Sequence, residues 1–389
     1  MKRPAPDDAL RAHVQAACAG WRQGGAQPAT LIEALVRNAA VHPQRVAVRE
    51  RERGIWVEHD WTALLADVLA LAAGLQAQGV QAGDAVMVIG DNRLRLYQAM
   101  LAAMVLRAFP APIYPDVPPA ELLHYSRLGR PRIAVAEDQE QVDKLLELRR
   151  LGGGQLGTIL YDDPRGLRAY AEPGLLALEA LLDEGRQRLR DQPALVQALL
   201  SQARADDVAV LLHSSGTTGQ PKGIPLRHSH IAGGVRNAAA AGYFQPHEEH
   251  YAYLPMAWVG DLVFTLGAGL LLAFTIHIPE RQETVAHDLR EVAPTMYLAA
   301  PRAWDHMLTR VQVGIAESSR TKRAMCEAFL RHAIEMERRR LDGTAPGWRD
   351  RCIRALGEWL VFARSATCWA SPARAAPTPA ARRWAKTPS

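Results

Sequence analysis

The chain contains 389 residues, of which 48% are hydrophobic and 22% charged, so it is long enough to bury a large core and to form two domains. Its formal net charge is +5, and the whole excess lies in the segment 363–389, which has five basic and no acidic side chains. The remaining chain is therefore neutral, which argues against a nucleic-acid-binding surface.

Predicted helices and strands alternate from the start of the chain. Apolar residues at helical spacing predict a helix that begins at Thr30. Two alternating runs, Val46–Arg49 and Ile55–Val57, predict a β-hairpin around an Arg-Gly turn. A strongly apolar helix is predicted over Ala63–Gln78.

The same alternation continues through the next predicted elements. Gly83–Gly90 predicts a turn and a buried strand, and Asp91 and Asn92 are predicted to cap the helix that follows. Apolar runs at Ala111–Tyr114 and Ile133–Glu137 predict two more strands, with a helix between them. Strands that alternate with helices indicate an α/β fold with a parallel sheet.

A loop rich in hydrogen-bond donors follows the apolar run Val208–Leu212, which predicts a buried strand. The loop, Ser214–Gly223, reads SSGTTGQPKG. Hydroxyls, backbone N–H groups and one lysine ammonium in such a loop can surround phosphate oxygens. Only two residues separate its first two glycines, and glycine rather than Ser or Thr follows the lysine, so it is not a Walker A loop.

Together with His213, this loop resembles the phosphate-loop signature of the AMP-forming acyl/aryl adenylate superfamily, Tyr-Thr-Ser-Gly-Thr-Thr-Gly-x-Pro-Lys-Gly. This chain differs only at the first two positions, His213 and Ser214. The resemblance implies a reaction in which ATP and a carboxylate form an acyl-adenylate and pyrophosphate. This reaction requires the site to position the two reactants and to neutralise the charge of the phosphates. The catalytic residues that it implies are Lys222, Thr217 and Thr218. The nucleotide-binding residues that it implies are Ser214, Ser215, Gly216, Thr217, Thr218, Gly219, Lys222 and Gly223.

Other phrases are similar to the long-chain fatty acyl-CoA ligase branch of that superfamily. They are Gly90–Arg93, Glu137–Lys144, Tyr161–Gly166, Tyr253–Asp261 and Ala300–Trp304. In that branch the segment around 254–261 lies beside the nucleotide and acyl pocket, which makes Trp258 and Asp261 candidate substrate-pocket residues. Core packing is an equally good interpretation of Trp258. His228 falls where the superfamily usually has a histidine, although a lone histidine is more often structural.

The nearly continuous apolar run Leu262–Ile278 is too short for a membrane span, which needs about 20 residues, and a buried helix followed by a strand is favoured. Met325–Arg340 is predicted to be a solvated helix. The sequence contains no metal-ligand spacing. Because Met1–Gln27 lacks a secretory signal and the four cysteines form no CxxC pair, a cytoplasmic protein with reduced thiols is expected.

The expected organisation is an N-terminal extension over 1–27, an AMP-binding domain over 28–362 and a tail over 363–389. The resemblance implies that a complete member continues with an adenine-binding stretch ending in Tyr-Gly-x-Thr-Glu, whose acid assists Mg²⁺ binding. A mobile C-terminal domain with a catalytic lysine would follow. None of these motifs occurs in the 389 residues, so an incomplete large N-terminal domain is expected, with no metal ligand of its own.

The tail is interpreted as a disordered frameshift product. Codons shifted by one base can encode family-like sequence from Ala363 and again from Pro377, and Trp369 and Trp384 then force glycines where the family has glycine. A genuine Ala/Pro-rich terminus is the alternative. Sequencing the encoding DNA tests this interpretation.

The implied reaction is activation of a long-chain fatty acid to acyl-AMP and then to acyl-CoA, with ATP, Mg²⁺ and coenzyme A. Because part of the implied site is missing, the 389-residue chain is predicted to be inactive or severely impaired, and uncovered apolar faces predict aggregation. Three alternatives stay open: a ligase for another carboxylic acid, a non-catalytic nucleotide-binding protein, and a non-functional fragment. The expected partners are the fatty acid, ATP and coenzyme A, without nucleic acid or a transmembrane segment; peripheral membrane contact is compatible with the sequence.

Overall fold

A computed structural model of the protein describes residues 8–22, 27–152, 155–214, 221–343 and 347–357. The chain divides into two compact units, Met1–Gln282 and Glu283–Ser389. The tail predicted over 363–389 lies outside the described residues, so its disorder stays a prediction.

The first unit contains eleven α-helices and eleven strands among its described residues. The helices are α1 (Asp8–Ala17), α2 (Leu31–Val41), α3 (Trp61–Ala77), α4 (Leu94–Val105), α5 (Pro119–Gly129), α6 (Gln139–Arg150), α7 (Leu178–Asp191), α8 (Ala194–Leu200), α9 (His228–Ala240), α10 (Val259–Leu262) and α11 (Gly269–Leu271). The strands are β1 (Val46–Glu52), β2 (Ile55–Asp60), β3 (Ala85–Ile89), β4 (Phe109–Ile113), β5 (Ile133–Ala136), β6 (Thr158–Tyr161), β7 (Leu175–Ala177), β8 (Val208–Ser214), β9 (Lys222–Arg227), β10 (Glu249–Tyr251) and β11 (Thr275–Ile278).

The strands of this unit form three sheets. The first has the order β10-β11-β1-β2, in which only the β1–β2 pair is antiparallel. The second, β4-β3-β5-β6-β7, is parallel throughout. The third is the antiparallel pair β8–β9, and β8 lies beside β4. The predicted α/β fold with a parallel sheet is therefore confirmed.

Several local predictions are also confirmed, each for an identifiable reason. Thr30 caps α2 in a capping box with Glu33. The hairpin between β1 and β2 turns through Arg53 and Gly54, whose φ angles of 49° and 77° are the left-handed values that such a turn requires. The apolar run Leu262–Ile278 forms a helical segment, with a π-helix over Val263–Ala268, followed by β11.

The prediction that Asp91 and Asn92 cap the next helix is wrong. Helix α4 begins at Leu94, and Arg93 occupies the cap position without a side-chain cap hydrogen bond. The Oε1 atom of Glu50, on β1, accepts from the Leu94 backbone N–H at 3.0 Å instead. The Asn92 side chain lies outside the cap position, and its amide nitrogen donates to Tyr97 and to carbonyl oxygens just after β10, as described below.

Helices α3 and α7 approach each other closely at two glycines. A Cβ atom on Gly185 would lie 1.8 Å from the backbone oxygen of Ala70, and one on Gly74 would lie 2.7 Å from Leu181. Asp67 of α3 accepts hydrogen bonds from Arg95 of α4 at 3.0 Å and from Arg186 of α7 at 2.8 Å. The two guanidinium groups lower the pKa of this carboxyl group although its burial opposes them. Small residues and one shared ion cluster thus hold three helices together.

The second unit is helical over its described residues. Its helices are α12 (Val285–Val292), α13 (Pro301–Ala316), α14 (Arg320–Leu341) and α15 (Trp348–Gly357). Helix α14 confirms the helix predicted over Met325–Arg340. Large apolar side chains of this unit, among them Trp304 and Trp348, are exposed, in keeping with the aggregation prediction, which itself stays untested. Among all described residues, no helix has the length and apolar character that crossing a membrane would require.

Candidate functional site

The two arms of the donor-rich loop form a β-ladder in the structure. Ser214 pairs with Lys222, and His213 pairs with Gly223. This register puts the exposed Lys222 directly opposite the last residue of β8. The middle of the loop lies outside the described residues, so the predicted phosphate contacts of its site residues stay predictions. These residues are Ser215, Gly216, Thr217, Thr218 and Gly219. The ladder fixes only the two ends of the loop.

Helix α5 contacts both arms of the loop. The His124 Nε2 atom lies 2.6 Å from the carbonyl oxygen of Pro221, and an imidazole N–H is the donor to that oxygen. The Tyr125 ring meets the His213 ring edge-on, with the centroids 4.7 Å apart. Burial lowers the pKa of His213 to about 4, so its imidazole is neutral at pH 7. Sequence reasoning did not identify His124 or Tyr125, because they lie some 90 residues before the loop.

His228 has a structural contact. Its ring is buried at the start of α9, and its Nδ1 atom accepts from the Leu31 backbone N–H, 3.3 Å away. Burial lowers the pKa of this imidazole to about 4. The neutral ring satisfies one amide in the first turn of α2, where the helix leaves its own N–H groups unpaired.

Trp258 and Asp261 occupy different environments although they are three residues apart. The Trp258 side chain is half-buried at the cap position of α10, and its ring covers Gly260, where a Cβ atom would lie 2.3 Å from the ring. Asp261 is 1% exposed. Trp258 is therefore partly accessible to solvent, whereas Asp261 faces the interior, and their roles in a substrate pocket stay predictions.

The Asp261 carboxyl group lies in a buried polar network. Tyr97 donates its hydroxyl to Oδ2 at 2.6 Å, and Thr265 donates to Oδ1 at 3.0 Å. Because the Thr265 proton is used in this way, the His250 Nε2 atom, 3.1 Å from Thr265 Oγ1, must carry the hydrogen of that contact. Burial raises the pKa of Asp261 to about 7, while hydrogen bonds from Tyr97, Thr265 and Asn92 oppose the rise.

Asn92 extends this network to the first sheet. Its Nδ2 atom lies 2.9 Å from the Tyr97 hydroxyl and 2.9 Å from each of the carbonyl oxygens of Ala252 and Leu254. The sequence analysis included Asn92 as a helix cap and within a phrase similar to the ligase branch, but it did not identify Asn92 or Tyr97 as site residues, since nothing in the local sequence shows which polar side chains will be buried together.

The Asp261 pKa gives a prediction about stability. A carboxyl group whose pKa is raised on folding favours the folded state while it is protonated, and this contribution is lost as the pH rises from about 4 to about 7. The free energy of unfolding of Asp261→Asn, minus that of the unsubstituted protein, should therefore be about 2 kcal/mol larger at pH 8 than at pH 5. Urea denaturation of both proteins at the two pH values measures this change.

The comparison of the two proteins isolates Asp261. Burial also raises the pKa of Asp162 to about 7 and lowers those of His213 and His228 to about 4. These groups are the same in both proteins, so their contributions cancel in the difference. If the difference in free energy of unfolding between the two proteins does not change with pH, the pKa of Asp261 is not raised.

The described residues contain no group of three or more His, Cys, Asp or Glu side chains arranged to hold a metal ion.

The profile of the AMP-binding enzyme family matches residues 35–383 of the chain. Among curated proteins, the long-chain-fatty-acid–CoA ligase ACSBG1 of Mus musculus is 23% identical over 262 residues, which are 66% of this chain and 36% of that protein. The long-chain-fatty-acid–CoA ligase ACSBG2 of Xenopus laevis is 24% identical over 331 residues, which are 82% of this chain and 43% of that protein. The chain thus spans less than half the length of these relatives.

Solved structures show the same fold at low sequence identity. VinN in complex with L-aspartate has a TM-score of 0.59 and 20% identity, and the match covers 74% of this chain and 66% of that one. A fatty acyl-adenylate ligase from L. pneumophila, in complex with acyl adenylate and pyrophosphate, has a TM-score of 0.57 and 16% identity over 78% of this chain and 48% of that one. With the family profile matched over most of its length, the chain belongs to the AMP-binding enzyme family.

Proposed function

We propose that this chain belongs to an AMP-forming ligase that activates a long-chain fatty acid, first to acyl-AMP and then to acyl-CoA. The observation that carries the proposal is the β8–β9 ladder, which pairs Ser214 with Lys222 and so holds an exposed ammonium at the end of the donor-rich loop. The relatives that are named as long-chain-fatty-acid–CoA ligases support the choice of substrate.

The chemistry needs positive charge at this place. A fatty acid carboxylate attacks the α-phosphorus of ATP, one P–O bond forms, and the P–O bond to the β-phosphate breaks as pyrophosphate leaves. Both reactants are anions, and negative charge builds up on the leaving pyrophosphate. Lys222, with the hydroxyls of Thr217 and Thr218, would neutralise that charge, and the backbone N–H groups of the loop would hold the phosphates. Mg²⁺ would enter with ATP. In a second step the coenzyme A thiol would attack the acyl carbonyl carbon, the C–O bond to AMP would break, and AMP and the thiol proton would be released.

The 389 residues assayed alone should bind ATP and turn over slowly. They include the phosphate loop, but they contain no Tyr-Gly-x-Thr-Glu motif to supply the acid that assists Mg²⁺. Removal of one charge-stabilising group can cost about 10²–10³ in rate. We therefore expect ATP binding by calorimetry, and palmitate-driven ATP–pyrophosphate exchange about 10²-fold or more below that of a full-length relative.

Each departure from this result selects another function. Robust exchange with palmitate contradicts the predicted impairment. Exchange with another carboxylic acid but not with palmitate indicates a ligase for that acid. ATP binding without any exchange favours a nucleotide-binding protein, and a folded chain without ATP binding favours a non-functional fragment.

A further inference from the structure

We propose that Asn92 and Tyr97 are positioning residues, which fix the segment Ala252–Leu262 and thereby hold Trp258 in place as a wall for the acyl chain. The inference rests on the proposed function for its substrate. Asn92 and Tyr97 lie outside the phosphate loop, about 160 residues before the segment that they contact.

Asn92 holds the start of the segment. Its side chain is 2% exposed, and its amide nitrogen is within 2.9 Å of the carbonyl oxygens of Ala252 and Leu254. The side-chain amide has two hydrogens, so these two carbonyls and the Tyr97 hydroxyl share them. The point at which the chain leaves β10 is thus fastened to the residues between β3 and α4.

Tyr97 holds the other end of the segment. Its ring is 4% exposed, and its hydroxyl donates to the Asp261 carboxyl group at 2.6 Å. A hydrogen bond from a hydroxyl to a carboxyl group is stronger when water is excluded, as it is here. Thr265, in the π-helix, donates to the second oxygen of the same group at 3.0 Å.

Other contacts also hold the segment. The Ala252 backbone N–H donates to His277 O at 2.8 Å, and the Gln282 side chain donates to Tyr253 O at 3.2 Å. Met256 and Ala257 are buried.

The Trp258 backbone N–H donates to Pro255 O at 2.9 Å, and the Leu262 N–H donates to Trp258 O at 3.2 Å. Both bonds join residues of the segment itself, so they shape its turn without fixing its place. Asn92, just before α4, and Tyr97, in the first turn of α4, add side-chain hydrogen bonds that tie both ends of the segment to this part of the unit.

The half-buried Trp258 ring lies between the two attachments. An acyl chain offers no hydrogen bonds, so its affinity depends on how closely apolar surfaces fit. Loosening the segment should therefore weaken binding of a long acyl chain more than it weakens binding of the nucleotide, although the resemblance implies that the segment lies beside both. Such selectivity separates positioning from a general loss of stability.

The test uses two acyl-sulfamoyl-adenosine analogues, one with a palmitoyl and one with an acetyl group, titrated calorimetrically into the full 389-residue chain. Tyr97→Phe and Asn92→Ala should each raise the dissociation constant of the palmitoyl analogue about tenfold, the effect of losing contact with roughly two methylenes. The acetyl analogue should change less than about twofold. Equal weakening of both analogues, or of neither, would overturn the inference.

Tyr170→Phe is the matched control. The Tyr170 hydroxyl also donates to a carboxylate, that of Asp143, at 2.7 Å, but it lies beside α6 and the second sheet. This variant should bind both analogues as the unsubstituted chain does. In a Trp258→Ala background, Tyr97→Phe should no longer affect the palmitoyl analogue; a tenfold effect that persists there would show that Tyr97 does not act through Trp258.

Hydrogen exchange tests positioning without any ligand. The Trp258 and Leu262 amides should exchange about tenfold faster in Tyr97→Phe, and at an unchanged rate in Tyr170→Phe. If the unsubstituted chain binds neither analogue, the missing adenine-binding stretch accounts for that result, and the exchange rates still decide whether Tyr97 holds the segment. Unchanged exchange at both amides overturns the positioning claim.

Discussion

Replacing Lys222 by alanine should weaken ATP binding by about 10- to 100-fold, and should lower acid-dependent ATP–pyrophosphate exchange by about 10²–10³-fold. The ammonium is exposed and stands opposite Ser214, where the loop returns to the sheet. A charge-assisted contact to phosphate is worth about 1.5–3 kcal/mol, and its loss is felt most strongly when charge moves onto pyrophosphate. Calorimetric titration with ATP measures the first effect, and isotope exchange measures the second.

Lys322→Ala is the control for charge. Lys322 lies exposed on α14 in the second unit, so its removal changes the net charge by the same amount without touching the β8–β9 ladder. ATP affinity should stay within about twofold of the unsubstituted chain. If both variants lose the same affinity, the effect comes from the overall charge of the protein, and the role of Lys222 in phosphate binding is wrong.

A second large effect is expected where helix α7 packs against α3. Gly185→Ala should lower the free energy of unfolding by about 2–3 kcal/mol, because the new Cβ atom would lie 1.8 Å from the Ala70 backbone oxygen. A backbone oxygen cannot turn aside as a flexible side chain can, so α7 must move away from α3. That movement would also stretch the ion cluster in which Arg186 contacts Asp67. Urea denaturation measures the loss.

Gly234→Ala makes the same substitution in α9 with the opposite expected sign. No atom lies within 4 Å of the Cβ that it would add, and the position is an exposed helix interior. Alanine there should raise the free energy of unfolding by about 0.5–1 kcal/mol, because it reduces the freedom of the unfolded chain. Destabilisation by Gly234→Ala as large as that by Gly185→Ala would show that close packing against Ala70 is not the cause.

Local patterns in the sequence predicted most of the elements of the first unit. The Arg53–Gly54 turn, the helix that follows Thr30 and the buried strand before the phosphate loop depend on residues within a few positions of one another, and all three form as predicted. The cap at Asp91 and Asn92 failed because Glu50, more than 40 residues away, supplies the acceptor to Leu94. Local sequence preferences cannot predict a hydrogen-bond acceptor that is so distant in the sequence.

Asp261 shows the same limit within the candidate site. Its position in a family-like segment made it a candidate for the substrate pocket, whereas the structure buries it between Tyr97 and Thr265. Which face of a four-residue helix turns inward depends on the π-helix and the sheet that surround it. The local sequence around Asp261 does not show where the side chains of Tyr97 and Thr265 will lie in the folded chain.

The sequence by itself determined the α/β class, the family and the place of the phosphate loop, because these depend on periodicity and on one contiguous motif. Only the tertiary structure decided that Ser214 faces Lys222 across a ladder, that His124 and Tyr125 contact the arms of the loop, and that Asn92 and Tyr97 hold the Trp258 segment. The last two arrangements join residues roughly 90 to 160 positions apart. The free energy of such contacts depends on burial and geometry, which exist only once the chain has folded.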